Sequence, residues 1–124
     1  MTATTETAPF HGADLVTSIA NEYKARLTAV LERYKAFHPD CQRRYAADEY
    51  HAACDRLRGA AAFLAGDYDG TYCSGLGYAT VEDWRVHYAN DSLRSALHSL
   101  IWAEHYAGLI DRDAAHAADP WNNR

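Results

Sequence analysis

From Asp14 to Phe37 the residues Val16, Ala20, Tyr23, Leu27, Val30, Tyr34 and Phe37 recur at alternating steps of four and three. A repeat of roughly 3.5 residues carried over about three heptads gathers these side chains on one face of an α-helix, and the two-residue period of a strand does not accommodate it. Such a helix is about 36 Å long, and Ile19 and Leu31 widen its apolar face beyond a narrow seam. The rod is not stable alone, because the entropy lost in ordering it exceeds what its own side chains recover by burial. It needs cover along its whole length, from sibling helices, from another protein or from a second copy, so a homo-oligomer through residues 14–37 is one expectation.

The rest of the chain supplies candidates for that cover. Alanine is abundant, Val and Ile are scarce, and the apolar residues keep a helical period, which favours helix over sheet. With 124 residues the chain has the size of one domain. The expected fold class is all-α, a bundle of three to five helices over residues 13–118, with a flexible arm at 1–12 and a tail at 119–124 that carries Trp121. Pro39 ends the first helix near Phe37. A second helix is expected from about Asp40 to Gly66, with Tyr50, Cys54, Leu57, Ala61 and Leu64 on its apolar face and Gly59 among alanines, packed as a hairpin against the first. Glu22 and Arg26 are spaced for an i,i+4 pair on the outer face of the first helix. Thr80-Val81-Glu82-Asp83 resembles a capping box that opens a third helix. Asn90-Asp91-Ser92 offers a second capping site, so the stretch to Leu109 reads either as two helices or as one bent helix.

The net charge of -5 is unevenly spread: Glu22 to Arg58 holds eight Lys/Arg against six Asp/Glu, and Asp67 onward holds four against nine. Nucleic-acid binders carry a stronger positive stripe, so nucleic acid is not an expected partner. The first nine residues contain no apolar run of a secretory signal, and no stretch has the length of a membrane span. The odd set Cys41, Cys54 and Cys73 then reads as reduced thiols, and the expected location is cytoplasmic.

Between the second and third helices the period disappears. Residues 67–79 hold three glycines and three tyrosines, and a segment of this length inside a small domain is usually functional or disordered. Tyr68, Tyr72, Leu76, Tyr78 and the nearby Trp84 are of types that gain large contact area at small entropic cost. The leading functional expectation is therefore a non-catalytic interaction protein, an accessory regulator or inhibitor, that binds a protein partner through these five residues and needs no cofactor.

Two other chemistries are legible. His38-x-x-Cys41 and His51-x-x-Cys54 would supply two imidazoles and two thiolates, a tetrahedral zinc set, provided that the second helix starts near Tyr45 or later; from an earlier start, Cys41 and His51 are held about 15 Å apart along it. Carboxylate-bridged metals would need Glu-x-x-His, which the chain lacks, and Asp48-x-x-His51 is a near substitute. Arg94-x-x-x-His98 and Arg112-x-x-x-His116 resemble the Arg/His pairs with which small helical ribonucleases position phosphate and move protons, though at shorter spacing, and they define a helical hydrolase alternative. Cys73 has no assignable base, and neither a phosphate-binding glycine loop nor a nucleophile elbow occurs.

Overall fold

The computed structural model describes residues 13–65 and 81–122. Four helices follow one another: α1 (Ala13–Lys35), α2 (Arg43–Ala65), α3 (Val81–Tyr106) and the short α4 (Arg112–Ala118). The class is all-α, a three-helix bundle with a fourth helix on its outer side. The expected arm at 1–12 and the segment 66–80 lie outside the described residues.

The centre of the bundle is a seam between α2 and α3, which share the most extensive helix contact in the molecule. On α2 the seam runs Ala46, Tyr50, Ala53, Leu57, Ala60, Leu64, and on α3 it runs Ala89, Leu93, Ala96, Leu100, Ala103. Both lists step by four and three, so each helix sets alternating small and large side chains against the other. The six alanines at 46, 53, 60, 89, 96 and 103 are 0–1 % exposed. Alanine at these positions leaves room for the two backbones to approach closely. The pair is antiparallel, since Tyr45 packs on Tyr106 at one end and Phe63 packs on Trp84 and Tyr88 at the other.

The apolar face expected for α2 holds at Tyr50, Leu57 and Leu64 and differs by one residue at two positions. Ala61 is exposed, and Ala53 and Ala60 occupy the seam in place of Cys54 and Ala61. The stepping was the same, but only the partner helix decides which of two adjacent alanines faces inward. Likewise the closest pairing is α2 with α3, whereas α1 lies across both. Its stripe is buried at Val16, Tyr23, Leu27, Val30 and Tyr34, where sibling helices of the same chain cover it. Arg26 does not rely on Glu22: its Nε and one terminal nitrogen donate to the two carboxylate oxygens of Glu104 at 3.0 and 2.6 Å, tying α1 to α3.

Residues 81–106 form one continuous helix, so Asn90-Asp91-Ser92 does not interrupt it, and Leu109 lies beyond its end. In its last four turns Leu100, Ile101, Trp102 and Ala103 are buried in succession, because the bundle covers one side and α4 covers the other with Ala115.

Two helix ends are closed by the same device. At α3, Gly108 has φ +83°, its N–H donates to His105 O, and Leu109 N–H donates to Glu104 O. At α1, Phe37 has φ +55°, its N–H donates to Tyr34 O, and His38 N–H donates to Arg33 O. Both are Schellman motifs. Glycine is required at 108, where a Cβ would fall 2.7 Å from Asp40 O. At Phe37 the left-handed conformation costs an L-residue roughly 1–2 kcal/mol, and the ring, expected on the buried stripe, is 68 % exposed. The reversal of chain direction swings it away from the face that the preceding heptad follows. Arg33 donates to Ala107 O and Gly108 O, and Gln42 N–H donates to Tyr106 O at 2.7 Å, so the α1–α2 turn satisfies the open carbonyls of α3.

The seam makes opposite predictions for two small residues. Ala96→Leu should lower stability by about 1–3 kcal/mol through overpacking. Gly59→Ala, whose added Cβ would meet Ser92 Oγ at an ordinary 3.6 Å, should raise it by about 0.5–1 kcal/mol. Urea denaturation of the two variants measures both.

Candidate functional site

The densest polar constellation among the described residues is built where the chain after α4 returns to α3. His98 and Trp102 are one helical turn apart on α3, so their ring N–H groups share a face. Asp111 starts α4 by accepting from Ala114 N–H at 2.7 Å, and seven residues later the helix ends as Asp119 N–H donates to Ala115 O. This geometry delivers the Asp119 carboxylate to both donors: Oδ2 accepts from Trp102 Nε1 at 2.9 Å, and both oxygens lie 2.9 Å from His98 Nδ1. Trp121 N–H donates to Oδ1 at 3.0 Å, and the Trp121 ring stacks on the His98 imidazole with centroids 3.7 Å apart.

Asp119 is 5 % exposed. Burial alone would raise its pKa, but the hydrogen bonds from Trp102, His98 and Trp121 outweigh that and hold the carboxyl below the usual aspartate range. An anionic partner at Nδ1 fixes the His98 tautomer with Nδ1–H donated and Nε2 as the nitrogen that takes up or releases a proton.

His98 also lines an open recess of about 290 Å³ with Glu49, Trp102, Tyr106, Arg112 and His116. The Arg112 guanidinium lies over the Trp102 ring at 5.5 Å. Burial pushes the Glu49 carboxyl up, opposed by nearby His98 and by a hydrogen bond with Ser99. The recess thus holds two imidazoles, a guanidinium and a carboxyl of reduced acidity. Of the two Arg/His pairs read from sequence, His98, Arg112 and His116 converge; Arg94 lines a separate recess with Asp91, Ser95 and Trp121. Asp119, read only as part of a tail, is the residue that organises the site. The i,i+4 spacing of His98 and Trp102 was the available signal, since it offers one carboxylate two donors.

The zinc set is not assembled. The helical pattern of α2 begins at Arg43, with Ala46 N–H donating to Gln42 O, earlier than the start near Tyr45 that the set required. Cys41 packs against the Val30, Tyr34 and Ala46 cluster, where burial raises its thiol pKa, while His51 is exposed and Cys54 lies farther along α2 beside Tyr50 and Leu57. Among the described residues no three His, Cys, Asp or Glu side chains form a group that could hold a metal.

Of the five residues expected to contact a partner, Tyr68, Tyr72, Leu76 and Tyr78 lie outside the described residues. Trp84 is 7 % exposed, edge-on to Phe63 at 5.8 Å and to Tyr88 at 5.6 Å. Its ring belongs to the core, because position 84 falls on the inner side of α3 rather than on the preceding connection. No described helix is long and apolar enough to cross a membrane. The chain matches no protein-family model, no curated protein and no solved structure.

The Asp119 geometry sets a pH prediction. A carboxyl more acidic folded than unfolded contributes its full stability above about pH 4, the ordinary aspartate value, and loses it as pH falls through the lower folded value. Glu49, shifted upward, has the opposite sign: its folded state is favoured when neutral, and that advantage disappears as pH rises through its folded value. Asp119→Asn should therefore flatten the acid limb of the stability profile and lower stability at pH 7 by about 1.5–3 kcal/mol, the worth of hydrogen bonds to a charged group. Glu49→Gln should lower the stability at pH 7 less than Asp119→Asn does. Denaturant midpoints between pH 2.5 and 7 distinguish the two.

Proposed function

We propose that this protein is a small helical interaction protein, an accessory regulator or inhibitor, which docks a protein partner through Tyr68, Tyr72, Leu76 and Tyr78 and works in a reducing cytoplasm where Cys41 and Cys54 stay thiols. One observation carries the reading. Phe63 of α2 touches Trp84 and Tyr88 of α3, so the two helix ends joined by residues 66–80 are neighbours. A helix–helix connection between neighbouring ends typically takes about 2–8 residues, and this chain spends fifteen. The surplus has no connective duty, and it is where the tyrosines are concentrated.

Replacing residues 66–80 by a Gly/Ser linker of about six residues should leave helicity and thermal midpoint nearly unchanged, because loop length enters stability only logarithmically. The same change should abolish recovery of the partner by affinity capture from the native cell. Capture that survives the replacement rejects the reading.

A second reading, a helical hydrolase acting on a phosphate ester, is favoured by the convergence of His98, Arg112 and His116 with Asp119 behind His98. In that reading the Nε2 of one imidazole accepts a proton from the attacking hydroxyl or water, the other imidazole protonates the leaving oxygen, and Arg112 offsets phosphoryl charge. Turnover of bis(4-nitrophenyl) phosphate that falls about 100-fold or more in His98→Ala would support it; identical rates in the two proteins would reject it.

A further inference from the structure

At the end of the bundle where α2 begins, away from the 66–80 connection, the surface changes character. We infer that Phe37, Arg43 and Arg44, with the hollow beside them, form a docking site for an acidic protein segment that carries an apolar side chain.

Four observations meet there. Phe37 occupies the left-handed position that glycine fills in the matching motif of α3, and its ring is turned outward with the Arg43 guanidinium carbon 4.1 Å from its centre. A strained, exposed aromatic residue held by a cation is a preorganised contact, not a packing residue. Arg43 and Arg44 are the first two residues of α2, whose first turn has no acidic residue. Cations at the positive end of a helix dipole are disfavoured, and an arriving carboxylate relieves both the dipole and the guanidinium charges. Neither arginine forms an ion pair with a described carboxylate; Arg43 Nε donates to Tyr34 O, and its outer nitrogens have no hydrogen-bond partner among the described residues. Beside them lies a hollow of about 450 Å³ lined by Tyr34, Arg43, Arg44 and Ala47, with room for an apolar side chain.

The net charge of the chain is -5, so this basic patch is set in an acidic molecule. Two arginines fall short of the positive stripe that holds a long polyanion or an anionic membrane, whereas a short acidic segment needs only the local field within a Debye length of about 8 Å. That favours a peptide segment over nucleic acid or lipid.

The test is fluorescence anisotropy with a labelled peptide of about 14 residues, rich in Asp and Glu, with Leu and Phe four residues apart. The full chain should bind it saturably, and Phe37→Gly and Arg44→Glu should each weaken binding at least ~10-fold, as expected of a contact centre. Phe37→Gly should keep or raise the thermal midpoint, since glycine suits the left-handed position. Should that variant fail to fold, Arg44→Glu decides alone. The variant with the shortened 66–80 segment should bind the peptide like the full chain, which separates this site from the function proposed above. Absence of saturable binding, equal affinity for an all-Asp/Glu peptide lacking Leu and Phe, or tighter binding of phosphatidylserine vesicles or single-stranded DNA through the same residues overturns the inference.

Discussion

Close approach of α2 and α3 along two alternating rows of alanine and larger residues is the constraint on which the other features rest. Alanine loses no side-chain entropy on burial, so the seam obtains dispersion contacts from backbone and methyl groups at low conformational cost. The same property makes the seam sensitive to volume, since a void or an extra methylene has few flexible neighbours to absorb it. α1, whose stripe carries Tyr23, Leu27, Val30 and Tyr34, then lies over the groove that the narrow pair leaves, supplying the bulk that the seam lacks.

The helix ends show how the bundle accounts for its backbone polar groups. Arg33, Gln42 and Arg43 donate to carbonyls of α1 and of the α3 terminus, so one corner is held by hydrogen bonds rather than by apolar packing. That corner also holds Gly108 and Phe37, two residues with positive φ and opposite surroundings. Gly108 is obligatory because Asp40 O leaves no space for a side chain. Phe37 is not obligatory for the turn, and its outward ring beside two arginines that have no ion pair among the described residues gives the corner a chemistry unlike the rest of this acidic chain.

Asp119 joins stability to potential chemistry through a single carboxylate. By accepting from Trp102, His98 and the Trp121 backbone it fastens the chain after α4 to α3, and by anchoring Nδ1 it presents His98 with one defined protonation site. The Trp121 ring over His98 and the recess shared with Arg112 and His116 follow from the same anchor. The far end of the bundle is held by different residues. There, Phe63, Trp84 and Tyr88 draw together the ends of a connection much longer than their proximity requires.

The all-helical class, the approximate extent of the first two helices and most of the apolar face of α1 were set by the sequence alone, because a 3.6-residue twist converts local spacing directly into a face. So was the choice of helix over sheet, through alanine content and the scarcity of β-branched residues. Only the tertiary structure decided which helices pair most closely, which of Cys54 and Ala53 or of Ala61 and Ala60 faces inward, and that Phe37 turns out while Trp84 turns in. Each of those outcomes depends on a partner distant in the chain or on one residue's φ, and neither is encoded in periodicity. The His/Cys set failed and the Asp119 site formed for one common reason: bringing side chains to a point requires helix starts and crossings correct to within a residue, a precision that spacing along a chain does not contain.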